Sequence, residues 1–412
     1  MQEIHYTCQG ESHKATDKVC QDYSLVEIAD GLSIAVVCDG HGGERYFRSD
    51  IGSRIASEVT RDCISMFVSG IDKSLFVGKP FTQHSALSTE VKNNDFHKET
   101  EAEKTMRQLF SSIIFNWREK ILARALSNPR TEKEHSFVPE DAKQEFSNQI
   151  GLEKTYGCTL MCYAQTADYW LAFHIGDGKC VSFDTEGSWQ EPIPWDDKCF
   201  LNKTTSLCDS SAIDEFRYCY QGDGSFPLSV FLGSDGIDDS FGETPNMINF
   251  YVQILKTLAN NTITDAEQQL KDALPELSKI GSKDDMSVAC LFDETRLSTA
   301  IPGLITWQRN NVKEQIDTIN QRIMSLLSKK NSIEKKQVKE QKDKIDLEYS
   351  IKDLTRCFAT KQTLISKFDR FSQELSSEEF VPYSDDIGIG EPKQAAVNED
   401  SQEPLQQPPP EE

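Results

Sequence analysis

Apolar residues over the first 300 positions follow two rhythms. Gly31–Cys38 (GLSIAVVC) is a continuous apolar run of strand length and predicts a buried strand. Glu44–Val68 sets Ile51, Ile55, Val59, Ile64 and Phe67 at helical spacing, and Glu103–Leu126 is again helical. Strand material resumes at Thr159–Ala164, Tyr169–Ile175, Lys179–Phe183 and Val230–Gly233. Helical patterns cover Pro245–Leu258 and Thr264–Leu277, and Met286–Phe292 closes as a strand. Strands grouped between helix pairs predict stacked sheets with helices outside, not a doubly wound parallel sheet. The polar stretch Lys79–Thr100 lacks a core rhythm and reads as an exposed insertion.

A different rhythm holds from Leu304 to Val381, where no glycine or proline interrupts the chain. Such a segment reads as helix. Ile316, Ile323, Ile351, Phe358 and Ile365 share one heptad position. Ile319, Leu326, Ile333, Leu347, Leu354, Phe368 and Leu375 share the other. Lys330, Gln337, Glu340 and Lys344 make the middle of the seam polar. Two architectures fit: a long coiled coil that forms a homodimer through residues 304–380, or a helical hairpin turning near Lys335–Lys344. From Val381 the chain is rich in proline and acid and reads as a disordered tail. The expected organisation is therefore a domain over 1–300, a helical segment over 301–380 and a tail over 381–412.

Charge sharpens this division. The net formal charge of −23 splits into −19 for residues 1–300, +3 for 301–380 and −7 for 381–412. An acidic chain argues against nucleic-acid binding and against adhesion to an anionic membrane. No stretch approaches the length of a spanning helix, and the first ten residues carry no signal-peptide pattern. The twelve cysteines have no CxxC spacing and several sit in apolar strands, so they read as reduced, in a cytoplasmic protein. His174 lies in an apolar strand and reads as a core residue; His5, His84, His97 and His135 read as exposed.

Candidate chemistry lies where the strands stop. Asp39 follows Ile34–Cys38, Asp177 follows Trp170–Gly176, Asp235 follows Val230–Ser234, and Asp284 and Asp285 precede Met286–Ala289. Carboxylates delivered to one point repel unless cations lie between them. All-oxygen donors suit Mg²⁺ or Mn²⁺. Two such ions clamp a phosphoryl oxygen and lower the pKa of a bridging water.

These stations resemble the PPM-type (type 2C) metal-dependent serine/threonine protein phosphatases. The matching motifs are Asp39-Gly40-His41-Gly42-Gly43, Gly157-Cys158-Thr159-Leu160, Ile175-Gly176-Asp177-Gly178, Gly233-Ser234-Asp235-Gly236-Ile237-Asp238-Asp239 and Asp284-Asp285-Met286-Ser287-Val288. Gly10-Glu11-Ser12-His13 and Cys20-Gln21-Asp22 are similar to the opening of a bacterial branch of the family. The resemblance spans residues 1–295. It implies an α+β fold, a four-layer αββα arrangement around an antiparallel β-sandwich. It also implies that Asp39 bridges two Mg²⁺ or Mn²⁺ ions, that the Gly40 carbonyl joins the second, and that Asp235 and Asp284 complete the first. Asp177 and Asp239 match positions holding a third, weaker ion in bacterial relatives. His41 matches the proposed general acid. The implied reaction is attack of a metal-bridging water on a phosphoserine or phosphothreonine in a phosphoprotein substrate.

Two departures stand out. Gln21 precedes Asp22 where the family usually has an acid, which implies weaker hold on the second ion. The family's phosphate-binding arginine is missing, and Lys18 or His13 is the candidate replacement. These departures keep a second reading open, a pseudophosphatase scaffold working through its fold and helical extension. A third reading is a phosphatase of small phosphoesters.

Overall fold

The computed structural model describes residues 1–86, 99–138, 140, 143, 151–200, 203–336, 338, 340–375 and 383. The chain begins with strand β1 (Gln2–Cys8) and the short helix α1 (Glu11–Ala15). It continues through β2 (Tyr23–Ala29), β3 (Leu32–Cys38), α2 (Ser49–Gly70), β4 (Thr82–His84), α3 (Glu101–Ser127) and α4 (Glu132–Phe137). Six strands follow: β5 (Leu160–Gln165), β6 (Trp170–Ile175), β7 (Lys179–Phe183), β8 (Trp189–Gln190), β9 (Arg217–Gln221) and β10 (Ser229–Gly233). Then come α5 (Asp235–Phe241), α6 (Thr244–Asn260), α7 (Ile263–Ile280), β11 (Met286–Phe292), α8 (Glu294–Glu334) and α9 (Gln341–Leu375).

The strands form two antiparallel sheets, ordered β1-β11-β10-β7-β8 and β2-β3-β5-β6-β9-β4. The apolar runs are continuous because both faces of each central strand are covered. Along β3, Ala35 and Val37 point between the sheets, while Ile34, Val36 and Cys38 point at α2 and α3. Along β11, Ala289 and Leu291 enter the inter-sheet core, while Met286, Val288, Cys290 and Phe292 meet α6, α7 and the start of α8. The result is the four-layer αββα sandwich. Its outer helices are held by large buried side chains such as Trp117, Phe110 and Tyr251, each burial worth roughly 1.5–3 kcal/mol. All twelve cysteines are free, and all but the half-buried Cys20 are buried.

Several short elements escape sequence rhythm, among them β1, β2, β8, β9 and α5. The stretch Lys79–Thr100 is a partial correction. Thr82–His84 pairs with Tyr218–Tyr220 as an edge strand, too short to show a period. His84 is not exposed there; its ring stacks on Tyr218 at 4.5 Å. Residues 87–98, with His97, lie outside the described residues, as does all of the tail 381–412 except Tyr383.

The helical extension begins earlier than composition suggests. Helix α8 runs through Pro302 and Gly303, and Leu297, Ala300 and Leu304 still belong to the sandwich core. The chain reverses after Glu334, and α9 returns antiparallel. Ile305, Val312 and Ile316 pack on Leu364 and Phe371, and Ile323 packs on Leu354 and Cys357. Lys336 pairs with Asp343 at 2.7 Å beside the turn. The α9 seam is Ser350, Leu354, Cys357, Lys361, Leu364 and Phe371. The heptad line through Ile351, Phe358 and Ile365 lies one residue off it, and Ile351 is exposed. A turn resets the register, so one heptad frame does not carry across it. The base of the hairpin docks on α6 through Lys256–Glu374 at 2.6 Å and Gln308 Nε2 donating to Asn249 Oδ1 at 2.6 Å.

Candidate metal centre and its cleft

One end of the sandwich opens into a cleft of about 840 Å³. Its walls include His13, Asp39, Gly40, His41, Asp177, Asp235, Asp239 and Asp284, brought together from five separate chain segments. Asp39 leaves the end of β3. Its backbone N–H donates to Thr159 Oγ1 at 3.0 Å and its carbonyl accepts the Thr159 N–H at 2.8 Å. Gly40 packs so tightly that a Cβ would lie 2.4 Å from the Gln21 carbonyl oxygen, which accounts for glycine there. Asp177 follows Gly176, whose φ of 133° suits glycine. Asp235 and Asp239 sit one turn apart on α5, so both side chains share a face.

Asp39, Asp177 and Asp235 each bring a carboxylate oxygen within 4.8 Å of the others. Withdrawal from water raises the Asp39 carboxyl well above the usual range, and Asp235 and Asp22 add repulsion. Asp235 is pushed up to about 7, by withdrawal from water first and by Asp177 next. Asp177 and Asp239 are raised as well, again chiefly by withdrawal from water. Asp22 lies buried behind the site, its carboxyl also raised by burial and by the charges of Asp285 and Asp235. Among the described residues its Oδ2 has no hydrogen-bond partner. Converging oxygens with high proton affinity and an orphaned buried acceptor fit a positive ion, and the all-oxygen donor set fits Mg²⁺ or Mn²⁺.

The two consecutive aspartates before β11 have opposite surroundings. Asp284 is exposed to the cleft, 3.9 Å from His13 Nε2. Asp285 is buried, accepts the N–H groups of Gly10 and Gln21 at 2.6 Å each, and contacts His13 Nδ1 at 2.9 Å. His13 therefore lines the cleft with one ring nitrogen committed to Asp285. Lys18 does not line it; its ammonium donates to the Gly42 carbonyl at 3.0 Å. Gln21 points its amide nitrogen at the His41 carbonyl, 3.1 Å away, and at Ser49 Oγ. Its Oε1 is buried and has no hydrogen-bond partner among the described residues.

His41 lies between the Tyr46 ring, edge-on at 4.7 Å, and Ser206 Oγ, 2.7 Å from Nε2. Burial lowers its pKa to about 4. The far wall is the loop between β8 and β9, which contributes Lys198, Lys203, Thr204, Thr205, Ser206 and Asp209. Sequence reasoning missed all six, because the loop has no periodicity and its residues gain meaning only where they fold over the aspartates. Arg217, fully buried, ties this loop down by donating to the Pro194 and Gly176 carbonyls at 2.9 and 2.6 Å, and its Nη2 lies 3.1 Å from His174 Nδ1. His174 is a buried core histidine, as its strand pattern implies.

Residues 9–275 match the protein phosphatase 2C family. The chain belongs to that family. Among solved structures, a serine/threonine phosphatase from Staphylococcus aureus is 14% identical with a TM-score of 0.40, over 71% of this chain and 95% of its own. PppA of Pseudomonas aeruginosa is 16% identical with a TM-score of 0.39, over 70% of this chain and 96% of its own. A C. elegans sex-determining protein is 14% identical with a TM-score of 0.43, over 73% and 67%. No curated protein sequence matches the chain. Among the described residues no helix is long and apolar enough to cross a membrane.

Proposed function

We propose that this phosphatase-family chain hydrolyses phosphoserine and phosphothreonine in proteins, in the cytoplasm, with divalent metal ions held by Asp39, Asp177 and Asp235. Asp239, Asp284 and the Gly40 carbonyl border the same cleft and are the further ligand candidates. The observation that carries the reading is the convergence of three carboxylates whose proton affinity is raised by withdrawal from water and by the charge of neighbouring carboxylates. Two Mg²⁺ or Mn²⁺ ions, with a third bound more weakly, would supply the charge that makes water nucleophilic and neutralises phosphoryl oxygens.

The protein's own groups do the rest. His41 hands a proton to the departing serine or threonine oxygen. Tyr46 and Ser206 fix its ring. Lys198 and Lys203 bring positive charge to the mouth, in place of the missing arginine, and His13 adds a donor at the floor. Asp285 holds the Gly10–Gln21 segment, and with it Asp22, against the site. The hairpin fills its own seam, which favours a monomeric extension over a homodimer through 304–380.

The test is phosphate release from a phosphopeptide with Mn²⁺, with and without chelator, beside Asp39→Asn and Asp235→Asn. Metal-dependent release lost in both variants supports the proposal; undiminished release from the double variant sinks the metal site. No release under any metal condition would favour a scaffold, the reading to which the neutral Gln21 points. Comparison with small phosphoesters separates protein from metabolite substrates.

A further inference from the structure

Three consecutive hydroxyl residues, Thr204, Thr205 and Ser206, run along the cleft wall, and each meets a different part of the site. Thr204 stands beside the Asp177 carboxyl and works against the rise in its pKa. Thr205 Oγ1 accepts the Gly176 N–H at 3.0 Å and donates to Asp196 at 3.2 Å. Ser206 Oγ lies 2.7 Å from His41 Nε2. Ser206 is itself firmly placed. It is 3% exposed, its N–H donates to Asp209 Oδ2 at 3.1 Å, and Asp209 N–H returns to the Ser206 carbonyl at 3.1 Å.

Donor and acceptor accounting gives this contact a direction. The Ser206 hydroxyl has one proton and lies 3.0 Å from the Cys158 carbonyl, which can only accept. With the proton placed there, Oγ offers lone pairs to its other neighbours: His41 Nε2 at 2.7 Å and, more weakly, the Cys208 thiol at 3.2 Å and the Cys208 N–H at 3.3 Å. Nε2 then carries a hydrogen and donates it. In the imidazolium form both nitrogens carry protons, and the Nε2 proton still faces Ser206. Nδ1 makes no hydrogen bond among the described residues.

We infer that Ser206 is a positioning residue for His41: its oxygen holds Nε2–H, fixes the ring against Tyr46, and leaves Nδ1 as the atom that exchanges protons with substrate. The inference rests on the phosphatase reading and deepens it. When the substrate O–P bond breaks, its electron pair stays on the leaving oxygen, which takes the Nδ1 proton of the imidazolium and leaves the neutral ring with Nε2–H on Ser206. The attacking water forms the new O–P bond and returns a proton to the ring, so the step balances.

The test compares wild type, Ser206→Ala and Ser206→Thr with Mn²⁺ on a phosphopeptide and on p-nitrophenyl phosphate, whose phenolate leaves without protonation. Ser206→Ala should lower kcat on the phosphopeptide at least about tenfold and on the aryl ester less than about threefold, with Ser206→Thr recovering most of the loss. Long-range ¹H–¹⁵N spectra of the wild type should show neutral His41 protonated on Nε2, with that bias lost in Ser206→Ala. Equal losses on both substrates, or wild-type His41 protonated on Nδ1 with Nε2 bare, would overturn the inference. A wild type inactive on both substrates would sink the phosphatase reading instead, and the spectra would still decide the Ser206–His41 contact. Should Ser206→Ala fail to fold, the wild-type spectrum and Ser206→Thr carry the test.

Discussion

Asp284 and Asp285 are neighbours in sequence with opposite predicted costs of removal. Burial works against the Asp285 charge, but the His13 ring 2.9 Å away and the N–H groups of Gln21 and Gly10 overcome it and hold the carboxyl below its usual range. Its side chain is 2% exposed, against 54% for Asp284. Asp285→Ala strips two buried backbone N–H groups of their acceptor and leaves the His13 ring without its partner. Hydrogen bonds to a charged group are worth about 1.5–3 kcal/mol each. They are not additive, and breaking a buried ion pair costs about 3–5 kcal/mol, so about 3–5 kcal/mol is expected. For a domain of about 300 residues, with about 2.1 cal/mol/K of unfolding entropy per residue, that is a fall in Tm of about 5–8 °C. Asp284→Ala removes one acceptor, for the Asp285 N–H at 2.8 Å, and should cost about 1 kcal/mol or less. Both variants are melted by calorimetry in chelator at neutral pH, so that no bound ion contributes. A fall of less than about 3 °C for Asp285→Ala, or equal falls for the two variants, would refute the assignment of Asp285 as the anchor of the N-terminal segment.

Two further outcomes follow from the same structure. A carboxyl with a raised folded pKa binds its proton more tightly folded than unfolded, so its contribution favours the fold at low pH and is lost as pH rises through the folded value, about 7 for Asp235. Protons therefore compete with cations, and Mn²⁺ should raise Tm about twice as much at pH 8 as at pH 5.5; equal increments would contradict the carboxylate site. Phe371→Ala, at a side chain 3% exposed in the hairpin seam and beneath Lys256, should cost about 3–5 kcal/mol locally and speed hydrogen exchange in α9 while sparing β3; uniform exchange across both would show that the hairpin does not open as its own unit.

The layers and the site differ in how far sequence alone reaches. β3 and β11 are legible because burial on both faces demands an unbroken apolar run, and such a run is rare by chance. Their terminal aspartates are legible for the same reason: a charge at the end of a buried strand marks where the strand meets water. Short edge elements such as Thr82–His84 leave no such mark, because three residues contain no period.

Sequence by itself therefore determined the αββα class, the strand ends that deliver Asp39, Asp177 and Asp235, and the helical character of the extension. It left the extension poised between coiled coil and hairpin, since a heptad stripe states that a helix needs a partner and not which one. In the structure the chain turns after Glu334 and brings Phe371 back onto Ile305, Val312 and Ile316. Only the fold separates Asp284 from Asp285, because burial and hydrogen bonding are properties of surroundings that two adjacent, identical residues do not share. Only the fold brings Ser206 to His41, across 165 residues of chain. A hydroxyl acts through the atom it faces, and that atom is fixed by packing, not by local sequence.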